Sequence, residues 1–343
     1  MAKRIVVFNH KGGVSKTTTV YNVGWMLSSK HRVLLVDADP QCNLTSLLLR
    51  DDFEKYYLDD MTRFNNIKDG VNVAFAGKPI PIAPVDCFSP SRASNLYLLA
   101  GHANLSEFDA ALSFAQSSSN AITTLQNLPG AFNELIRLVE EKYKIDFTLV
   151  DLNPGLSAIN QNLFLNCDLF AIPTNPDPFS IMAIDTLKSI LPRWAKWKSD
   201  SLEIFVDSAY PLRPALPLFA GCFIQRFNIR NGRAAKPYRD NIEEIKEKIA
   251  NDLFVALSGV GLAFQREKYP EKLSMNRFCL EEVPDFGGLL PKAYERGVPV
   301  FELTDEEIGE SGHVLTGLKS KRDQLRTQFE KVVEQLLTLL QND

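Results

Sequence analysis

Lys11-Gly12-Gly13-Val14-Ser15-Lys16-Thr17-Thr18 joins an apolar run, Arg4-Ile5-Val6-Val7-Phe8, to a stretch with helical spacing from Thr17 to Ser29. The run is rich in β-branched and aromatic residues, the composition of a buried strand. Along the following stretch Val20, Val23 and Leu27, with Gly24 beside them, share one packing face. Next comes Arg32-Val33-Leu34-Leu35-Val36-Asp37, a second unbroken apolar run that ends in a carboxylate. Unbroken runs suit parallel strands covered by helices on both faces. A strand, a glycine turn and a helix start make an anion site, because backbone N–H groups and the helix N-terminus converge on one spot. Gly12 and Gly13 let the backbone approach such an anion without side-chain clash.

The rhythm continues along the chain. Tyr97–Ala100, Asp146–Asp151, Asp168–Pro173 and Gly221–Gln225 read as further strands. Helical spacing runs near Leu105–Phe114, Ala131–Lys142, Phe179–Trp194 and Asn241–Leu257. Alternation of this kind predicts an α/β fold, a doubly wound, mostly parallel sheet flanked by helices, in a single domain over residues 1–343. Residues 50–94, with Pro79-Ile80-Pro81-Ile82-Ala83-Pro84, read as an irregular insertion over one sheet edge. It is a packed loop on the simpler reading and a partner-binding element on the other. About 312–340 reads as a charged amphipathic helix with Leu325, Phe329, Val332, Val333, Leu336 and Leu340 on one side.

Composition narrows the class. The 343 residues are 45% hydrophobic and 23% charged, as in a soluble globular protein with a sizeable core. A net charge of −4 excludes a bulk polycation, so nucleic-acid contact would need a local basic patch. Cys42, Cys87, Cys167, Cys222 and Cys279 are scattered without a Cys-x-x-Cys pair. That distribution argues for reduced thiols rather than a disulfide framework or a zinc site. No apolar stretch approaches the roughly 18 residues of a membrane span, so a cytoplasmic location is expected.

In the general phosphate-loop pattern G-x-x-x-x-G-K-[ST], Lys16 reaches the β and γ phosphates and the Thr17 hydroxyl ligates Mg²⁺. Here the two outer glycine positions are His10 and Ser15, so the general pattern fails, and an extra lysine, Lys11, stands in the loop. With that lysine, Asn9–Thr19 resembles the loop of the ParA/MinD family of deviant Walker A P-loop ATPases. Val33–Thr45 (VLLVDADPQCNLT) resembles the next motif of that family and Thr148–Leu156 (TLVDLNPGL) its Walker B region. Cys167–Leu187 and Val283–Val300 extend the likeness, which is strongest to the ParA branch of chromosome and plasmid partition.

The resemblance implies a role for each position. ATP and Mg²⁺ are the implied ligands, cradled by Lys11, Gly12, Gly13, Val14, Ser15, Lys16, Thr17 and Thr18. Lys11 matches the signature lysine that crosses a nucleotide-sandwich homodimer to the partner's phosphates, where two facing triphosphates need cations from both sides. Asp39 matches the carboxylate that orients the attacking water. Asp37 lies beside the Mg²⁺ shell, and Asp151 matches the Walker B aspartate, so Thr17, Asp37 and Asp151 form the metal side. Lys11, Lys16, Asp39 and Asp151 are the implied catalytic set for slow ATP hydrolysis. Gln225 and Asp285 fall where the family contacts adenine, although strand-end residues of these types often contact nothing. Asn153 stands where proline is common after the Walker B aspartate.

Arg226, Arg230, Arg233, Lys236 and Arg239 form a basic cluster with no acid nearer than Asp240. In this family it fits non-specific double-stranded DNA, held by phosphate contacts that weaken with salt; the plain alternative is a solvated loop. The resemblance further implies a ParB-like or cargo-adaptor partner and nucleoid association. The Leu-rich C-terminus finishes acidic, which disfavours a membrane-surface helix and favours core packing or a dimer face. Trp194 and Trp197 read as core or interface. An iron–sulfur electron donor of related fold would need bridging cysteines that this spacing does not supply. A positioning ATPase for a non-chromosomal cargo would share every motif, whereas Lys11, Lys16, Asp39 and Asp151 together argue against the alternative of a scaffold or regulator acting through protein partners rather than DNA.

Overall fold

The strands in chain order are β1 (Lys3–Val7), β2 (Val33–Ala38), β3 (Leu96–Leu99), β4 (Phe147–Leu152), β5 (Leu169–Thr174), β6 (Leu218–Gln225), β7 (Ile229–Arg230), β8 (Arg233–Ala234) and β9 (Cys279–Val283). Seven of them form one sheet in the order β3-β2-β4-β1-β5-β6-β9, and every neighbouring pair in it is parallel. Among the described residues β7 and β8 lie outside it, as a small antiparallel pair. The computed structural model describes residues 1–117, 125–230 and 233–342, with the side chains of Arg230 and Arg233 outside the description. Parallel pairing requires crossover connections, and the alternating helices supply them.

β2 is buried at every residue, and β1 at all but its first. This is why both read as continuous apolar runs. The helix Lys16–Ser28 packs on β2 and β4. A Cβ at Gly24 would lie 2.4 Å from Leu35 Cδ2, so the bare backbone there sets the spacing of helix and sheet. The C-terminal helix Gly312–Gln341 lies on that first helix and on β9, burying Leu325, Phe329, Val332 and Leu336 in the main core. Trp194 is buried against Phe8 and Phe164, with ring centroids 5.4 and 5.5 Å away. Among the described residues no helix is long and apolar enough to cross a membrane.

The stretch read as irregular, 50–94, carries two short helices, Phe53–Leu58 and Ile67–Phe75. Ile67 and Val71 are fully buried, and Asn66 caps the second helix by accepting from the Asp69 N–H at 2.9 Å. Phe88 exchanges two backbone hydrogen bonds with Leu98, 3.2 and 2.8 Å, so this segment covers the β3 edge. The helix expected over 241–257 begins at Lys236 and is broken by a π turn at Ile249–Leu253.

Candidate nucleotide-binding site

All the strand ends that matter face one way. The loops after β1, β2, β4, β6 and β9 line a cavity of about 620 Å³ at the carboxyl edge of the sheet. This is where ligands bind in open parallel sheets, at the point where the connections change direction. Its floor is the segment 12–18. Gly13 (φ 71°) and Ser15 (φ 64°) are both left-handed, a conformation that curls successive N–H groups around a concave centre. Ser15 is therefore a side-chain-bearing residue in a glycine conformation, which explains why glycine is usual there. It is also the residue before the helix Lys16–Ser28, and its side chain makes no capping hydrogen bond. The N–H groups of the first turn stay available to a ligand.

Lys16 is only 6% exposed, and its ammonium donates to the carbonyls of Asn9 (3.1 Å) and Lys11 (3.2 Å) within its own loop. Burial lowers its pKa, while Asp151 and Asp39 pull the other way. Asp37 and Asp151 are direct neighbours in the β2–β4 ladder. Asp37 is fully engaged: it accepts from the Thr45 N–H (2.8 Å), the Thr45 hydroxyl (2.7 Å) and the Asp39 N–H (3.1 Å). Burial still pushes its carboxyl up to about 6. Asp151 differs. It is completely buried, and among the described residues neither of its oxygens has a hydrogen bond of good geometry. Burial, with Asp37 alongside, pushes its carboxyl well above the ordinary range, against the pull of Thr17 and Lys16.

A buried carboxylate without a partner costs free energy unless something cationic meets it. The donor set suits a nucleoside polyphosphate with Mg²⁺: a lysine, the N–H groups of the first helical turn, the Thr17 hydroxyl and the buried Asp151. Among the described residues no cluster of three or more His, Cys, Asp or Glu side chains forms a self-sufficient metal site. An ion carried in on phosphate oxygens, held through one carboxylate and water, is the usual arrangement for Mg²⁺.

Asp39 lines the cavity, accepting from the Gln41 N–H at 2.9 Å. Lys11 is turned away from the cavity. Its ammonium sits 2.7 Å from both Asp177 oxygens and 2.9 Å from the Ser180 hydroxyl, with the Phe179 ring centroid at 5.9 Å. Gln225 is buried and borders the cavity, with its amide nitrogen donating to the Thr19 hydroxyl 2.6 Å away. Asp285 also lines it, with one oxygen accepting from the Gly287 N–H at 2.7 Å. Phe286, Leu290 and Tyr294 complete that wall.

The segment after Asp151 runs Leu152-Asn153-Pro154-Gly155. Asn160 gathers this turn by donating to the Asn153 carbonyl (3.1 Å) and the Gly155 carbonyl (3.0 Å). Pro154 lies against Gly12, where a Cβ would be 3.6 Å from the proline Cβ.

The basic cluster divides. Arg226 lines the cavity and donates to the Gly13 carbonyl at 3.0 Å. Lys236 and Arg239 are exposed at the start of the helix Lys236–Lys248, where Arg239 donates to the Ala234 carbonyl. Arg230 and Arg233 pair through their backbones as β7 and β8, and their side chains lie outside the described residues.

Sequence reasoning missed Asp177, Ser180, Leu290 and Tyr294. The pattern Asp177-Pro178-Phe179-Ser180 was legible as a helix start, with Asp177 accepting from the Ser180 N–H at 2.8 Å. Nothing local pointed to Lys11 as its second partner.

Such a sheet, with this loop opening the first helix and carboxylates on the adjoining strand ends, defines a P-loop nucleotide-binding protein of the ParA/MinD type. The chain belongs to the family described as an AAA domain, whose model matches residues 2–204. The virulence plasmid ParA family protein pGP5-D of Chlamydia psittaci is 25% identical over 189 residues, 54% of this chain and 62% of its own length. The chromosome-partitioning ATPase Soj of Thermus thermophilus is 29% identical over 193 residues, 55% of this chain and 61% of its own length. In both, the match spans less than two thirds of the relative. The Cyanothece McdA(D38A)–ATP complex superimposes with a TM-score of 0.58 over 98% of this chain and 96% of its own, at 17% identity, a likeness of fold.

Proposed function

We propose that this chain is an ATP-driven switch of the partition type: it binds Mg-ATP, pairs as a nucleotide-sandwich dimer, holds DNA non-specifically and hydrolyses ATP slowly under control of a partner protein. The observation that carries the reading is Asp151, fully buried and, among the described residues, without a hydrogen bond of good geometry, beside a lysine resting on its own loop carbonyls. Lys16 and the N–H groups of 12–18 bind the β and γ phosphates. Thr17 and Asp151 would hold Mg²⁺, with Asp37 fixing the strand end next to it. Mg²⁺ supplies charge neutralisation for the transferring phosphoryl group. Asp39 orients the attacking water, and Gln225 and Asp285 border the base. Lys11, released from Asp177, crosses to the partner subunit's nucleotide. ATP is the nucleotide in the McdA complex, and Soj is a chromosome-partitioning ATPase by name; both favour this assignment.

DNA contact is assigned to Arg230 and Arg233 on the β7–β8 hairpin, flanked by Lys236 and Arg239. Among the described residues neither of these flanking side chains pairs with an acid, leaving both charges for phosphate. Nucleoid association in the cytoplasm follows from that contact.

Lys16→Ala is expected to weaken Mg-ATP binding about 100-fold or more, the scale of a lost charge-assisted hydrogen-bond set. Asp39→Ala is expected to bind ATP and accumulate as a dimer, read by light scattering. A monomeric Asp39→Ala chain at saturating ATP would count against the sandwich.

A further inference from the structure

Arg226 follows the last residue of β6, and its backbone is left-handed, φ 61°. A residue with a side chain adopts that region reluctantly, and such positions gather at functional sites. The backbone there is tied across to β9, the Arg226 N–H donating to the Val283 carbonyl at 3.3 Å. From this anchor the side chain reaches the lip of the phosphate loop, where Nη1 lies 3.0 Å from the Gly13 carbonyl oxygen. Asn175 donates to the same oxygen from β5's end, also at 3.0 Å. Among the described residues the guanidinium makes no ion pair and no other hydrogen bond, so one of five donors is in use. An exposed arginine that only served solubility would not need a strained backbone, nor would it line the cavity that holds Lys16 and Thr17.

We propose that Arg226 is a phosphate-binding cation of the nucleotide site, supplied in cis by β6 and resting on Gly13 until a polyphosphate takes its donors. This rests on the nucleotide reading above, and it moves Arg226 from the DNA surface to the ligand. The geometry suits the role. Arginine offers a rigid fork of donors to phosphate oxygens, and here it stands at the lip of the phosphate loop, on the Gly13 carbonyl. While Lys11 is held by Asp177, Arg226 and Lys16 are, among the described residues, the two cations that line the cavity.

The experiment is a calorimetric titration of the full chain with Mg-ATP, Mg-ADP and adenosine, for wild type, Arg226→Ala, Arg226→Lys and Arg226→Gly. Arg226→Gly removes the guanidinium while relaxing the left-handed backbone, so its melting temperature without nucleotide should equal or exceed that of wild type. The expected result is a loss of roughly tenfold or more in Mg-ATP affinity for the Ala and Gly variants. Lysine restores part of it, adenosine affinity is unchanged, and low-salt retention on DNA without nucleotide is also unchanged. Wild-type affinity for Mg-ATP in the Ala and Gly variants overturns the proposal alone, as does an equal loss for adenosine and Mg-ATP. A wild-type chain with no magnesium-dependent affinity for ATP overturns the parent reading and this one with it.

Discussion

Asp151 has Asp37 beside it on β2 and Val7 beside it on β1, and among the described residues no hydrogen bond of good geometry to either oxygen. Without ligand, its carboxyl is a cost to the fold. Asp151→Asn keeps the shape and removes the charge, so the nucleotide-free protein should gain about 2 kcal/mol in denaturant unfolding. Magnesium-dependent nucleotide affinity should fall in the same variant. A less stable Asn variant would mean that the carboxylate has a partner of its own. The acids and lysines of the site were legible because each sits at the end of an apolar run or inside one short loop. Gln225 and Thr19 are 206 positions apart and Lys11 and Asp177 are 166, so their pairing needed the folded sheet. Ser15 was legible as a departure from glycine. That it keeps the glycine's left-handed conformation was not, since residue type alone does not fix φ.

The helix Pro178–Ser201 begins on Asp177, which caps it and at the same time grips Lys11. Against the cost of burial, the Lys11 ammonium and the Ser180 N–H hold the Asp177 carboxyl below its ordinary range. Asp177→Ala therefore removes a cap, at about 1 kcal/mol of stability, and frees the lysine for a second subunit. The ATP-dependent dimer of this variant should form at lower protein concentration than that of wild type, measured by analytical ultracentrifugation. A dimer that needs a higher concentration would show that Asp177 supports pairing instead of restraining it. At this scale the central strands were plain from sequence because burial on both faces leaves an unbroken apolar signal. β9 was not, because Glu281 and Glu282 interrupt it at the sheet edge, where Gln328 and Lys246 satisfy them. The helices Asn43–Leu49 and Ala158–Leu165 span about two turns each, too short for periodicity to separate from loop.

Across the whole molecule, stability should carry the mark of Lys198, which is 1% exposed and donates to the carbonyls of Leu165 and Ala215. Burial, reinforced by Arg213, brings its pKa down to about 7 from an ordinary 10.5. Between those values the unfolded chain binds more protons than the native one, so native stability rises with pH through that window and the penalty is complete below it. Lys198→Met should flatten the rise, which amounts to at most about 1.4 kcal/mol per pH unit. Equal slopes for the two proteins in urea unfolding from pH 7 to 10 would dismiss it. The sheet order also has a temporal side. The phosphate loop, Asp39 and Asp151 lie in the first half of the chain, whereas Arg226, Asp285 and Tyr294 come from β6, β9 and beyond. A ribosome adding about 5–20 residues per second leaves roughly ten seconds between the emergence of the acids and that of the last wall. During synthesis, then, the nascent protein carries an open half-cradle with an unneutralised carboxylate, and only the final third of translation turns it into a pocket able to reward folding with bound nucleotide.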